Sequence, residues 1–566
     1  MSERERPFAI TLEVDSSLAN RTGDWRTERP VYVRKLPPCN HGCPAGEDIQ
    51  GWLYEAETGG GGYERAWRLL VQSNPFPAVM GRVCYHPCET ACNRAQLDEP
   101  VGINAVERFL GDRAIDAGWR LPEPHSPTGK RVLVVGSGPA GLSAAYQLAL
   151  RGHHVGVFEQ AAKPGGMMRY GIPSYRLPRA VLDAEIDRLL ALGVELRCEE
   201  RVEDLDAAMR EGSYDAVFLA VGAHVASHVE IPGGTAARVI DALSMLHGVE
   251  EGARPQLGRR VVVYGGGDTA LDAARTARRL GHSRVTGTPG EAASGEDAVA
   301  PEDPVIVYRR TRERMPAHPD ELEQAEQEGI AFRWLSTIAA AEKGRLRIER
   351  MQLDEHGYPQ PTGEYDELDA DTVILAVGQN ADLSLLSKLP AVRVKDGVAA
   401  VDAEMMTGVP GVFAGGDMVP AERNVAVAIG HGRRGASCID RFLRGIPVAA
   451  EPTIELAGVE QINPWYYADA PPKVRALLQG IRRQSTFEEV VRGLSDSDAL
   501  FEARRCLSCG NCFSCDNCFG VCPDNAVLKP GPDGAPYAFD LDYCKGCGLC
   551  ATECPCGAIE MVPEKI

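Results

Sequence analysis

The sequence predicts a multidomain α/β protein, and three observations predict it. Two strand–glycine-turn–helix units stand in the middle of the chain, cysteine-rich segments flank them on both sides, and 566 residues exceed what one hydrophobic core serves. The expected order is an N-terminal α-helical domain carrying thiolates, a core of two Rossmann-like nucleotide domains, and a C-terminal domain built on a duplicated four-cysteine run.

The first unit starts at Val132-Leu-Val-Val and runs into Gly136-Ser-Gly138-Pro139-Ala140-Gly141, an Ala/Leu-rich helix over 142–150, and a strand closing on Phe158-Glu159. The glycines permit a tight turn and let backbone N–H groups approach a pyrophosphate at the helix N-terminus. An acid about 20 residues further on suits a ribose hydroxyl, and Glu159 stands there with Gln160 beside it. A bare G-x-G-x-x-G is a weak signal. Between a strand and a helix, with an acid in register, it points to an adenine dinucleotide. Pro164-Gly165-Gly166-Met167 and Arg169-Tyr-Gly-Ile-Pro173 follow, then a helix over 179–192 stopped by Gly193, and a strand over 216–220 leading into Val221-Gly222.

The second unit opens at Val261-Val-Val-Tyr264, with Gly265-Gly-Gly267-Asp268-Thr269-Ala270 as its turn. Alanine is compatible with the third glycine position. Its second strand, over 305–308, ends on Arg309-Arg310 rather than on an acid, with Arg312 and Arg314 close behind. Arginine forks match phosphate oxygens, which favours NADP(H) through its ribose 2′-phosphate. The competing reading is an exposed basic turn. Residues 287–304, rich in Gly, Ser and acids, read as a mobile insertion rather than a site. A strand over 372–376 with Val377-Gly378 echoes the one at 216–220, and the chain returns at Val412-Phe-Ala-Gly-Gly416-Asp417 before a helix over 424–434. In two-dinucleotide flavoproteins an Asp at such a place commonly contacts the flavin ribitol, and the following helix points its positive end at the flavin. FAD is therefore assigned to the first unit and NADP(H) to the second.

Eighteen cysteines in a secreted protein read as disulfides. Here the charged start, residues 1–6, leads into no signal-peptide core, and the cysteines cluster at short spacings, which points to metal thiolates in a reducing cytoplasm. No apolar run approaches the ~18 residues of a membrane span. The net charge of −20 argues against nucleic acid and for a partner with a basic docking face. The first cysteine group is Cys39-x3-Cys43 and Cys84-x3-Cys88-x3-Cys92, set among helical apolar spacings at 49–56, 63–71 and 103–117. Four thiolates also suit zinc; five of them at x3 spacings favour iron–sulfur. The last group is Cys512-x2-Cys515-x2-Cys518-x3-Cys522-Pro and Cys544-x2-Cys547-x2-Cys550-x3-Cys554-Pro. This is the two-cluster bacterial ferredoxin signature, in which the fourth cysteine of each run ligates the other cluster. Cys512, Cys515, Cys518 and Cys554 then hold one [4Fe–4S] cluster, and Cys544, Cys547, Cys550 and Cys522 the other.

With these residues in view, the chain resembles the glutamate synthase small-subunit family, shared with the N-terminal half of dihydropyrimidine dehydrogenase. The resemblance covers about residues 35–443. It is most specific at Gly81-Arg-Val-Cys84…Cys88-Glu89…Cys92, Arg169-Tyr-Gly-Ile-Pro173…Arg176-Leu-Pro178, and Tyr308-Arg-Arg310…Met315-Pro316. The resemblance implies an FAD domain in two sequence pieces, an inserted NADPH domain and N-terminal [4Fe–4S] clusters. It sets the expected boundaries at 1–125, 126–255, 256–375, 376–448, a connector 449–505 and the ferredoxin-like tail 506–566. Members of the family usually carry a C-x2-C pair, in a Glu-Ala-x-Arg-Cys-Leu-x-Cys phrase, just before the position of Cys39; here that place reads Arg34-Lys-Leu-Pro-Pro38. The same phrase stands near the other end as Glu502-Ala-Arg-Arg-Cys506-Leu-Ser-Cys509. The expectation is that Cys506 and Cys509, from their own chain or a neighbour's, complete a cluster with Cys39 and Cys92. Cys43, Cys84 and Cys88 then need a fourth ligand, and Glu107 occupies the place where the family puts an amide or carboxylate. Fifteen cysteines and Glu107 make sixteen ligands, enough for four clusters, with Cys198, Cys438 and Cys556 left over. The alternative is one N-terminal cluster with Cys506 and Cys509 free.

NADP(H) exchanges a hydride, iron–sulfur clusters pass single electrons, and FAD interconverts the two. A redox disulfide beside the flavin needs a paired cysteine motif, and residues 130–443 hold only the solitary Cys198 and Cys438. The expected function is an NADP(H) oxidoreductase subunit, passing electrons through FAD and [4Fe–4S] clusters to a protein partner. A ferredoxin or the core of a 2-oxoacid:ferredoxin oxidoreductase fits, with NADP⁺ as the expected electron acceptor. No side chain is singled out as acid, base or nucleophile. A glutamate synthase small subunit and a non-catalytic electron-wiring subunit are the competing readings.

Overall fold

The computed structural model describes residues 21–227, 229–232, 238–285, 302–342, 344–389, 391–448, 453–529 and 537–564. Residues 1–20 and positions 287–301 of the insertion lie outside the described residues.

Two five-stranded parallel sheets form the core. The first has the order Val412–Ala414, Ala216–Leu219, Arg131–Val135, His154–Phe158, Glu195–Arg197. Val132 and Val134 point into one apolar cluster and Leu133 and Val135 into another, so this strand is buried on both faces. That is why it reads as an unbroken apolar run rather than an alternating one. The second sheet has the order Ala331–Arg333, Val305–Val307, Val261–Gly265, Thr372–Ala376, Arg238–Asp241. A three-stranded antiparallel sheet, Ser336–Glu342, Arg345–Leu353 and Pro359–Asp369, covers one face through Ile338, Leu346 and Ile348.

The boundary expected at 255/256 is corrected by this pairing. Arg238–Asp241 runs parallel to Thr372–Ala376, and the helix Ala242–Glu250 packs into the second core through Met245 and Leu246. The strand is an exposed to half-buried edge without an apolar run, so its sequence carries no sheet signal. The chain crosses between the sheets at Val225–Ala226 and recrosses at Gln379–Asn380, and these two short strands pair antiparallel.

The N-terminal helices Ile49–Ala56, Gly62–Leu70, Pro77–Val83 and Ile103–Asp116 do not make a separate core. Trp52 and Trp67 share one buried cluster with Leu142 and Phe218 of the first nucleotide domain. Tyr146 Oη donates to Val71 O at 2.8 Å, and the buried Glu185 carboxylate accepts from the N–H groups of Ala78 and Val79 at 2.9 and 3.0 Å. It thereby caps the helix that leads to Cys84.

The two ends of the described chain meet. Glu28–Tyr32 pairs antiparallel with Ile559–Pro563, so the segment leading to Cys39 first crosses the ferredoxin-like tail. The connector is a strap rather than a spacer. Arg505, 2 % exposed, donates to Pro100 O and Glu99 O at 2.8 and 2.7 Å. Glu489 takes Arg82 and Arg108 of the helical domain at 2.7 and 2.9 Å, and Arg279 of the second nucleotide domain donates to Thr486 O at 3.0 Å. Val490 N–H donates to Tyr175 O of the first nucleotide domain at 2.9 Å, so one strap ties three domains.

Candidate functional site

A cleft runs along the C-terminal ends of the first sheet's strands, where ligands bind in open α/β sheets. It consists of two hollows of about 680 and 1040 Å³ that share Gly138, Ala220 and His224. The first is bounded by Gly136, Glu159, Gln160 and Gly166; the second by Pro139, Ala140, Met167, Gly222, Gly416 and Asp417.

The glycines of the first turn divide into three roles. Gly136 has φ +100° and turns the chain. A Cβ on Gly141 would strike the carbonyl oxygen of Gly136, so that glycine serves strand–helix packing. A Cβ on Gly138 would meet nothing of the protein nearer than Gly166 Cα at 4.0 Å, so only a ligand requires glycine there. The second turn repeats the pattern: Gly265 has φ +153°, a Cβ on Gly267 has nothing within 4 Å, and Ala270 is fully buried at the packing position. Both cradles fit a pyrophosphate.

Glu159, 7 % exposed, takes Ser137 N–H at 2.8 Å, Ser137 Oγ at 2.6 Å and Ala161 N–H at 2.8 Å. Its carboxylate is held at the first hollow with lone pairs to spare for a ribose hydroxyl. Gly165 has φ +124° and donates its N–H to Ser137 O at 3.0 Å. Burial raises the Asp417 carboxyl and lowers the His224 imidazole at the cleft wall. The helix expected over 424–434 is longer, Val425–Arg444, with Asn424 Oδ1 capping it at Val427 N–H, 2.9 Å. Asn424 and Val425 line the larger hollow, so the positive end of the helix faces it. Arg169 does not line the cleft; its guanidinium turns to Pro164 O and Asp183.

Asp268 and Thr269, which open the second unit's helix, line the same hollow, so the two nucleotide sites face one another. Asp268 accepts His318 N–H at 2.9 Å, and Thr269 Oγ1 accepts Gln379 Nε2 at 3.0 Å. Gly378, φ +114°, starts the recrossing strand. Arg312 pairs with Glu326 at 2.9 Å. Among the described residues, no carboxylate pairs with Arg309, Arg310 or Arg314, and Arg310 Nε is buried without a hydrogen-bond partner. The motif reading missed Val83, Tyr85, Arg176, Asp272 and Arg423, which also line the larger hollow. Arg176 is buried against Asp272 at 2.8 Å and Glu321 at 3.0 Å. Tyr85 stacks on His318 at 4.7 Å. Its one sequence signal was its place beside Cys84.

None of the eighteen cysteines is in a disulfide. Cys39, Cys92 and Cys506 pack into one buried cluster, and burial, then the charges of Cys506, Cys92 and Cys509, push the Cys39 thiol well up. The tail phrase folds back within its own chain. Cys84 is raised by burial and then by Glu107 and Cys43, and Cys88 by burial, Glu89, Cys84, Cys43 and Glu107. Cys43 is pushed up to about 12 by burial and the acids Glu47 and Glu107. Glu107 is buried, raised well above the carboxylate range by burial, and accepts Asn74 Nδ2 at 2.8 Å. In the tail, Cys518 is pushed up to about 11 by burial and by Cys512, Cys515 and Cys554. Cys550 is pushed up to about 12 by burial and by Cys522, Cys544 and Cys547. The sets gather thiols, joined in one case by the Glu107 carboxylate, a donor set that suits iron. Among the described residues no three His, Cys, Asp or Glu side chains converge for a single metal ion.

The tail and the Cys506–Cys509 segment adjoin: Gly510 N–H donates to Cys556 O at 2.7 Å, and Tyr467 Oη donates to Leu507 O at 3.0 Å. Cys84 stands between Val83 and Tyr85, both of which line the larger hollow.

Residues 130–432, more than half of the chain, match the family model described as pyridine nucleotide-disulphide oxidoreductase. The chain belongs to that family. Residues 13–119 match the model of dihydropyrimidine dehydrogenase domain II, 4Fe-4S cluster, and residues 537–560 that of the 4Fe-4S binding domain. The NADP(+)-dependent formate dehydrogenase subunit beta of Moorella thermoacetica is 34 % identical over 523 residues, 83 % of this chain and 70 % of that protein. The NADPH-Fe(3+) oxidoreductase subunit beta of Geobacter sulfurreducens is 30 % identical over 525 residues, 83 % of this chain and 75 % of that one. The glutamate synthase [NADPH] small chain of Mycobacterium tuberculosis is 34 % identical over 450 residues, 74 % of this chain and 88 % of that one. The resemblance drawn from the motifs is borne out: this is an FAD- and [4Fe–4S]-dependent NADPH oxidoreductase of the glutamate synthase small-subunit type. Among the described residues no helix is long and apolar enough to cross a membrane.

Proposed function

We propose that the chain is the NADP(H)-linked subunit of a larger complex and exchanges electrons with a protein partner, a ferredoxin or the core of a 2-oxoacid:ferredoxin oxidoreductase, in the direction of NADP⁺ reduction. The observation that carries this reading is the series of cysteine sets between the tail and the cleft. Bound FAD supplies the conversion between a nicotinamide hydride and the single electrons of iron–sulfur clusters. The chain's own residues bind and orient. Gly138 and Gly267 leave room for the two pyrophosphates, Glu159 holds a ribose, Asp417 stands at the flavin, and Arg309, Arg310 and Arg314 take the 2′-phosphate. Cys43, Cys84, Cys88 and Glu107 hold the cluster next to the cleft. Cys39, Cys92, Cys506 and Cys509 hold the next, and the eight tail cysteines two more.

A complex is supported by the relatives, each of which is by its name a subunit or a small chain. A glutamate synthase small subunit is the second reading, supported by the match over 88 % of the Mycobacterium protein. The duplicated cysteine run of the tail opposes it. The test is two assays on the anaerobically purified chain with whatever copurifies. NADPH-dependent reduction of a dye, together with exchange between NADP(H) and reduced ferredoxin, supports the proposal. Dye reduction without ferredoxin exchange, and a copurifying glutamine-dependent large subunit, replaces it by the second reading; no dye reduction leaves a wiring subunit.

A further inference from the structure

The two cysteine sets of the tail are duplicates in sequence but not in surroundings. Tyr32 Oη stands 3.2 Å from Cys518 Sγ. Cys556 Sγ stands 3.8 Å from Cys554 Sγ, which also takes the Ala558 N–H at 3.3 Å. Cys518 and Cys554 belong to one set, with Cys512 and Cys515. In the twin set, Cys522 Sγ takes the Ala526 N–H at 3.2 Å, and among the described residues no side-chain hydroxyl or spare thiol reaches any of its four sulfurs.

Both extra donors are held in place by elements that the duplicated run does not contain or require. Tyr32 ends the Glu28–Tyr32 strand opposite Ile559, and its ring stacks on Phe539 at 4.7 Å and 14°. Cys556 is 2 % exposed and offers its carbonyl to Gly510 N–H at 2.7 Å. A phenol is a donor at neutral pH, and beside a ligand thiolate a spare thiol is one too. Gly510 follows Cys509 directly, and its hydrogen bond to the Cys556 carbonyl sets this cluster site against the Cys506–Cys509 segment, on the inward side of the tail.

Hydrogen bonds to the sulfurs are one of the protein's levers on cluster potential, because the reduced cluster carries one more negative charge than the oxidised one. We propose that Tyr32 and Cys556 are positioning residues that raise the reduction potential of the inner tail cluster above that of its twin, so that electrons arriving at the tail run inward toward the flavin. The step is a single-electron exchange. One electron is given up on the Cys522, Cys544, Cys547, Cys550 side and taken up on the Cys512, Cys515, Cys518, Cys554 side, with no bond made or broken and no proton moved. The inference rests on the reading that the tail holds two clusters, and it supplies a physical cause for the direction proposed above.

The experiment is an EPR-monitored potentiometric titration of the full-length holoprotein, with Cys547→Ser marking the outer potential. Tyr32→Phe keeps the ring stack and removes only the hydroxyl. It is expected to lower the inner potential by an equivalent of about tenfold in electron occupancy, about 59 mV for one electron, and to leave the outer one in place. Cys556→Ala is expected to act in the same direction, and Cys556→Ser, which keeps a donor, to restore the wild-type value. No shift, a shift in the outer potential, or loss of iron from Tyr32→Phe each overturns the inference while leaving the two-cluster reading intact. A wild type without two tail potentials overturns both.

Discussion

Replacing Cys506 or Cys509 by Ala is the perturbation that bears most directly on the relay. Both thiols share a buried neighbourhood with Cys39 and Cys92, although 467 positions separate Cys39 from Cys506. Their segment is anchored there independently of any metal. Arg505 clamps the backbone of Glu99 and Pro100, and Arg94 donates to Arg505 O at 2.7 Å. Removing one thiol therefore leaves the fold in place and takes one ligand from one cluster. Sixteen ligands in sets of four correspond to about 16 Fe per chain, so each variant is expected to fall to about 12, with FAD content unchanged. Electron flow gives a second reading. NADPH oxidation by a dye that accepts from the flavin is expected to stay near the wild-type rate. Reduction of a protein acceptor through the tail is expected to fall by at least an order of magnitude, because the missing set lies between tail and cleft. The assays are anaerobic iron and acid-labile sulfide analysis with the two acceptors in parallel. About 12 Fe in wild type and variant alike would refute the argument and leave Cys506 and Cys509 as free thiols.

Gly138→Ala and Gly267→Ala separate ligand contact from folding. Neither Cβ meets the protein, so both variants are expected to fold; the first purifies with its FAD largely lost, and the second keeps FAD but shows a raised KM for NADPH. Flavin absorbance and circular dichroism check the pair, and an unfolded Gly138→Ala would contradict the open space around it. Arg309→Gln and Arg310→Gln are each expected to lower kcat/KM for NADPH by roughly 10- to 100-fold, from about 1.5–3 kcal/mol for one charged hydrogen bond, while NADH is used as before; equal losses with both nucleotides would return these arginines to a solvent-exposed turn. Glu328, 1 % exposed, holds Arg275 and Arg279 at 2.8 Å and is held down to about 2 by the two guanidinium groups against the opposing effect of burial. A depressed carboxyl contributes stability above its unfolded value of about 4.3 and loses it as pH falls toward 2, a difference on the order of 3 kcal/mol. Calorimetry of Glu328→Gln is expected to show a destabilised nucleotide domain at pH 7 and a gap to wild type that narrows in acid; a gap independent of pH would refute the assignment.

Local chemistry was legible in the sequence because it is short-ranged. The turn at Gly136 and Gly138, the helix behind it and the acid at Glu159 lie within 24 residues, and each responds to its own neighbours: a positive φ, a helix N-terminus, a strand end. The duplicated cysteine run is read the same way, from spacing alone. The helix after Asn424 is longer than its sequence suggests because its second half is apolar only on the stripe that meets the first domain, where Gly435 lies so close that a Cβ would strike the Phe218 ring.

What spacing does not encode is who meets whom across hundreds of residues. Arg238–Asp241 has no apolar run and joins the second sheet only because Thr372–Ala376 offers it a backbone ladder. Tyr85 became a wall of the cleft because the helical domain shares a core with the first sheet. Motif and composition determined the cofactors, the order of the domains and the ligand types by themselves. The tertiary structure alone decided that Cys506 packs into the same buried cluster as Cys39 within one chain and that Tyr32 reaches Cys518. Long-range pairing is selected by the total burial and hydrogen bonding of the folded chain, which no window of sequence contains.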